Sequence, residues 1–376
     1  MQQFLAQVSS NSSAATTSPP ASPPLPRLSR QQQQAPRRER DRDPPQSREK
    51  EAPPPMAAAA EEHQDLTRAF AGLGGLGVDE AALVSALGRW RRQPEKWAQF
   101  RRGFPGFFSA SGAGMERCED EYLRHLEAEF SRLKDAAVLW AMHPWERDAR
   151  WAHHVLHHAH PPAGLVEVAC TRAADDLLGA RRAYHALYHR SLEEDVAYLV
   201  KDANASLLVG LVTAYRYEGA RVSEDLAKEE AKALGAAVKQ AAPAARLVVQ
   251  DEQVVRVLAT RSKPQLRATF RIFKELHGGK PLDQDLAAEP CLQEAVRCLD
   301  SPPKYYSEVI GRAFRDDADK QAKAALTRVV VSRADVDMED IKDAYARQHG
   351  GNKLADAVAN NTQGYYKEAL LVMIGK

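Results

Sequence analysis

The residues best suited to chemistry lie together in Leu73-Gly74-Gly75-Leu76-Gly77-Val78-Asp79-Glu80. Glycine reaches positive φ without a Cβ clash, so Gly75 and Gly77 let main-chain carbonyls converge on one small space. Asp79 is placed to cap the helix that follows by accepting its free N–H groups. Carbonyl oxygens are hard ligands, and a calcium ion takes roughly six to eight oxygens, commonly with one bidentate carboxylate. Glu127 and Glu129, about fifty residues on, are candidates for that carboxylate. The stretch reads as a calcium site with main-chain oxygen ligands. The alternative is a glycine-rich turn between helices that binds nothing.

Two helical patterns must hold this turn, one over 62–72 and one over 79–87. From residue 57 onward the whole chain reads helical, and no apolar–polar alternation lasts long enough to suggest a sheet. Internal repetition is the clearest signal. Arg172, Leu177 and Tyr184 recur in spacing as Arg261, Leu266 and Phe273, then as Arg333, Met338 and Tyr345. Arg92, Trp97 and Phe104 are a weaker copy. At roughly 100° per residue, the second and third positions of each set share a helix face. One helix per repeat, opening with an arginine, therefore buries an aliphatic and an aromatic side chain. Each repeat closes with a nearly all-apolar helix, over 136–142, 207–214, 291–299 and 366–374. A helix apolar all round belongs in a core. The expectation is an all-α chain of four units, 57–144, 145–217, 218–300 and 301–376, preceded by a distinct segment.

That segment, residues 1–56, is rich in Gln, Ser, Pro and Arg and holds few large apolar side chains. It cannot bury enough surface to offset chain entropy and reads as disordered. Its early part is nearly free of acids, which loosely resembles an organelle transit peptide, but the amphipathic pattern is poor. Met56 is an alternative start. The remaining composition excludes several classes. The 376 residues carry a net charge of +1, so no basic footprint for nucleic acid is present. No apolar run is long enough to span a bilayer, so membrane contact must be peripheral. Cys118, Cys170, Cys291 and Cys298 show no paired spacing and no secretory signal precedes them, which fits a reducing cytoplasm.

The chain from about residue 61 to its end resembles the annexins, and specifically the plant-type ones. The resemblance rests on Gly75-Leu76-Gly77-Val78-Asp79-Glu80, on Trp140-Ala141-Met142-His143-Pro144-Trp145-Glu146-Arg147-Asp148-Ala149 and on Cys170-Thr171-Arg172-Ala173. It continues through Arg328-Val329-Val330-Val331-Ser332-Arg333-Ala334-Asp335-Val336-Asp337-Met338 and Thr362-Gln363-Gly364-Tyr365-Tyr366. It implies four annexin repeats of about five helices each in a slightly curved disc. It implies calcium-dependent docking of the convex face on anionic phospholipid, with the lipid phosphate filling the open part of the calcium shell. It further implies a cytoplasmic protein that reaches the membrane reversibly, is monomeric in solution with self-association on membranes, and serves calcium or stress signalling. The alternative is a helical scaffold for protein partners such as actin or a kinase, largely independent of calcium.

Carried onto this sequence, the resemblance implies that the repeat-one site uses the carbonyls of Leu73, Gly75 and Gly77, with Glu129 the first and Glu127 the second choice of carboxylate. Departures from the pattern predict that this is the single competent site. Val78 stands where the family usually has threonine. Repeat two offers Pro161-Pro162-Ala163-Gly164, repeat three the glycine-free stretch 246–252, and repeat four Arg315-Asp316-Asp317-Ala318-Asp319. The expected carboxylate position of repeat four is Asn361, a neutral amide with one oxygen to give. The aspartates there read as an acidic helix start. Other signals fall to ordinary explanations. Arg89, Arg91 and Arg92 read as a solvated face about 13–15 Å from the turn. His153, His154, His157, His158 and His160 read as an exposed helix face, with a transition-metal pair or a pH-responsive surface as alternatives. Asp176-Leu177-Leu178-Gly179 resembles a fragment of a nucleotide site without its phosphate loop. The histidine credited with peroxidase-like activity in some plant annexins is missing at Gly88-Arg89-Trp90, and Cys170 reads as a small buried side chain. No enzyme is expected.

Overall fold

The structure is a computed structural model of the full chain. It describes residues 64, 66–67, 79–103, 108–110, 114–120, 133–157, 163–244 and 246–376. Met1–Ala52 and Pro53–Lys376 are separate units, and the first lies wholly outside the described residues. The disorder expected for 1–56 therefore falls outside them too.

The second unit is built almost entirely of helices. In chain order they are α1 Glu80–Trp90, α2 Pro94–Gly103, α3 Lys134–Ala141, α4 Pro144–His157, α5 Ala163–Thr171 and α6 Ala174–Tyr188. Next come α7 Leu192–Leu199, α8 Ala205–Val212, α9 Glu224–Ala244, α10 Glu252–Thr260, α11 Lys263–Leu276 and the single turn α12 Leu282–Asp285. The chain ends with α13 Pro290–Asp300, α14 Pro302–Ala313, α15 Lys320–Arg333, α16 Met338–Gln348, α17 Leu354–Asn361 and α18 Gly364–Ile374.

The repeated offsets mark core positions as expected. Leu177, Tyr184, Leu266, Phe273, Met338 and Tyr345 are all buried, as is Trp97. Phe104 lies outside the described residues. The arginine of each set does not open its helix, however. Arg172 follows α5, Arg261 caps the C-terminus of α10, and Arg333 is the last residue of α15. Each is held by an acid: Arg172 by Asp148 at 2.6 Å, Arg261 by Glu230 at 2.5 Å and Arg333 by Asp337 at 2.8 Å. The repeated arginine is thus an ion-pair anchor at a helix–helix corner.

The apolar closing helices α3, α8, α13 and α18 carry the contacts between repeats. α3 packs on α15, α8 on α10, α13 on α5 and α18 on α1. The helices Glu80–Trp90 and Gly364–Ile374, far apart in the chain, are therefore in direct contact.

Two expectations need correction. The chain is not wholly helical, because Phe108–Ala110 (β1) and Glu116–Cys118 (β2) form an antiparallel hairpin in register Phe108↔Cys118. It lies between α2 and α3 in the chain. The arginines 91 and 92 are not merely solvated, because both are tied to the last helices of the chain. Arg91 Nε donates to the Met373 carbonyl at 3.0 Å, Arg92 Nη2 meets Glu339 at 2.9 Å, and the Arg92 N–H donates to Asp335 at 2.6 Å. Arg89 and Arg92 stay exposed, Arg92 with its ion pair at the surface.

Candidate functional site

Leu73, Gly75, Gly77, Glu127 and Glu129 all lie outside the described residues. The element leaving the turn is described. Asp79 is the N-cap of α1, its Oδ1 accepting from the Ala82 N–H at 2.9 Å. α1 then buries Leu83, Val84, Leu87 and Trp90. The helix runs three residues past its expected end, since Ala86, Leu87 and Trp90 continue the apolar stripe that α18 covers.

The corresponding turns of the other repeats show where their polar groups go. In repeat two, Gly164 sits against Trp151: a Cβ there would stand 2.8 Å from the indole nitrogen, which donates to the Gly164 carbonyl at 3.2 Å. Its glycine serves close packing. In repeat three, residues 248–250 form one turn of 3₁₀ helix. The buried Glu289 carboxylate accepts from the N–H groups of Val248 at 2.7 Å and Val249 at 3.0 Å. Both oxygens face backbone donors, so the acid satisfies two N–H groups of the turn. Sequence reasoning missed Glu289. The available signal was an acid 40 residues beyond the turn, immediately before the apolar helix α13.

In repeat four the acidic stretch is spent on local structure. Asp319 caps α15 by accepting from the Ala322 N–H at 2.7 Å, and Asp317 pairs with Arg315 at 3.0 Å. Asn361 donates to the Ala357 carbonyl of its own helix at 2.8 Å. Among the described residues no group of three or more His, Cys, Asp or Glu side chains is arranged to hold a metal.

A second polar assembly lies between repeats. Asp148 on α4 grips Arg172 with both oxygens, at 2.6 and 2.7 Å. Arg172 also donates to the Tyr306 hydroxyl at 3.1 Å, which shares a hydrogen bond with Thr171 at 2.8 Å. Burial raises the Asp148 carboxyl, but the charges and hydrogen bonds of Arg172 outweigh it and hold the group below the usual aspartate range. Nearby, Arg328 pairs with the fully buried Glu167 and lies over the Trp151 ring at 4.6 Å. These groups border a cavity of about 470 Å³ that also meets Glu294 and Tyr305.

The histidine-rich helix is not a plain exposed face. His153 stacks on Tyr188 at 3.8 Å and on His157 at 4.1 Å, while His154 stacks on Trp151. His158 and His160 lie outside the described residues. The remaining motifs have structural work. Gly179 is small because any Cβ would collide with the Trp145 indole, whose Nε1 donates to Asp176 at 3.4 Å. All four cysteines are buried and free, and burial pushes the Cys170 thiol up to about 11.

Comparison with known proteins completes the picture. The sequence model of the Annexin family matches residues 318–373. Annexin D4 of Arabidopsis thaliana is 43% identical over 319 residues, spanning 84% of this chain and 98% of that protein. Annexin Gh1 of Gossypium hirsutum is 36% identical over 324 residues, spanning 84% and 95%. Among solved structures, annexin III superposes with a TM-score of 0.70 at 23% identity, over 85% of this chain and 94% of that one. Calcium-bound annexin (Sm)1 superposes at 0.66 with 20% identity, over 86% and 92%. With the helix order, the buried repeat positions and relatives of this closeness in agreement, the chain belongs to the annexin family, among its plant-type members.

Proposed function

We propose that this chain is a calcium-dependent binder of anionic phospholipid that docks peripherally from the cytoplasm. Calcium is held by the carbonyls of Leu73, Gly75 and Gly77 and by Glu129 or Glu127. The open part of its shell takes lipid phosphate oxygens, so neither partner binds well alone. This fits a family with calcium-bound members, and no described helix is long and apolar enough to cross a membrane. The four units 57–144, 145–217, 218–300 and 301–376 are proposed as its repeats.

The observation that supports a single site is the fate of the corresponding carboxylates. Glu289 is committed to two backbone N–H groups, and Asn361 is turned back to its own helix. The turn at 73–79 alone combines glycines with acids at the right remove. One site predicts recruitment that needs high calcium or strongly anionic vesicles. Vesicle sedimentation across a calcium titration tests this, with wild type compared with Glu129→Gln and Glu127→Gln. One of the two variants should lose calcium-dependent recruitment. Equal recruitment in chelator and in millimolar calcium overturns the reading and favours a scaffold for protein partners.

A further inference from the structure

The hairpin β1–β2 creates a feature that four plain repeats would lack. Between it and α6 opens a cleft of about 820 Å³. The hairpin contributes Arg117. α6 contributes Leu178, Arg181, Arg182 and His185, and the first turn of α7 contributes Glu193. The four α6 positions are spaced three and four apart, so they share one helix face.

The charges in this cleft are incompletely matched. Glu193 pairs with Arg181, and Arg117 donates to Asp120 at 3.0 Å. Asp120 is itself shared with Arg150 at 2.8 Å, and Arg150 also pairs with Glu146 at 2.9 Å, so the surplus charge rests on Arg182. Arg182 is exposed and has no ion-pair partner among the described residues. The Nε atoms of Arg117 and Arg181 are buried and lack any hydrogen-bond partner among the described residues. Surface arginines on one helix are ordinarily just solvated. Here they converge from separate elements on one cleft, and the exposed Arg182 guanidinium is left for a ligand.

We propose that this cleft binds a phosphate-rich anion without calcium. The guanidinium fork matches phosphate oxygens in pairs, which ammonium groups do not. Leu178 and the arginine stems give the ligand's body an apolar wall. The phosphates belong either to a free polyphosphate or to a phosphorylated lipid headgroup.

Titration of the full chain in EDTA distinguishes these sources. One arm uses inorganic triphosphate. The other uses phosphatidylcholine vesicles with and without phosphatidylinositol bisphosphate. Binding in at least one arm is expected, weakened about tenfold by Arg182→Gln and by Arg117→Gln, the scale of one lost charged hydrogen bond. Arg271→Gln, an exposed arginine paired with Glu224 on another face, should bind as wild type. The responding arm names the source. Absence of binding in both arms overturns the proposal, as does equal binding by all variants. Calcium-dependent recruitment to vesicles lacking the phosphoinositide is expected to survive Arg182→Gln, so this site and the calcium site fail separately.

Discussion

The Glu289 carboxylate accepts the Val248 N–H at 2.7 Å across 41 residues of sequence, and the adjacent Val249 N–H at 3.0 Å. An internal anion thus satisfies two backbone donors of the turn. Glu289→Gln keeps the shape but replaces one acceptor oxygen with a donor facing an N–H. A loss of about 1–3 kcal/mol in denaturant unfolding is expected, with the calcium dependence of vesicle recruitment unchanged. A shifted calcium midpoint would show that repeat three does hold metal.

Asn361→Glu supplies the charge that repeat four lacks. No gain in calcium-dependent recruitment is expected, because Asp319 is spent on a helix cap and Asp317 on Arg315. Sedimentation at matched calcium checks this. A second calcium-dependent step would mean that these aspartates rearrange readily.

Asp148→Asn leaves the Arg172 guanidinium, only 9% exposed, without its counter-charge. Loss of about 3–5 kcal/mol is expected, the range for orphaning one partner of a buried pair. Replacing both, as Asp148→Leu with Arg172→Met, should recover much of it. If the double variant is no better than the single, the cost lies in packing rather than in the stranded charge.

His143 gives a defined pH response. Burial, with Arg101 and Arg147 nearby, lowers its imidazole to about 3, and its Nδ1 accepts from the Trp145 N–H at 3.1 Å. The unfolded chain binds this proton near pH 6.5 and the folded chain does not. Stability from this group is therefore full above about pH 6.5 and declines as pH falls toward 3. His143→Asn should flatten the midpoint of unfolding against pH between 6.5 and 4, measured by thermal denaturation. An unchanged slope would place the acid sensitivity elsewhere.

Gly179→Ala tests whether the nucleotide-like fragment is a packing device. A methyl group at this position meets the Trp145 indole. A loss of about 1–3 kcal/mol is expected from overpacking. Gly103→Ala, with open space around it, should be neutral or slightly stabilising. Equal effects would remove the argument from Trp145.

The parts of this fold that were legible in sequence are those written in helix periodicity. Leu177 with Tyr184, and Leu266 with Phe273, mark one helix face by spacing alone, and burial follows from it. The Asp79 cap was legible because its acceptor and donor are neighbours in the chain. The hairpin was not, since strands of three residues are too short to show alternation. Arg91 and Arg92 looked solvated because their partners, Glu339 and the Met373 carbonyl, lie at the far end of the chain. Glu289 was missed for the same reason: its role depends on backbone N–H groups, which no residue type announces.

Among the described residues, the bonds from Arg91 and Arg92 to Met373, Glu339 and Asp335 are among those of longest reach along the chain. A ribosome makes their two halves far apart in time. Helix α1 emerges well before α18, which covers it. Helices that form early must therefore wait with an apolar flank uncovered until α18 follows. A nascent chain of this design has reason to be escorted by chaperones, and loss of α18 would leave its first repeat unsealed.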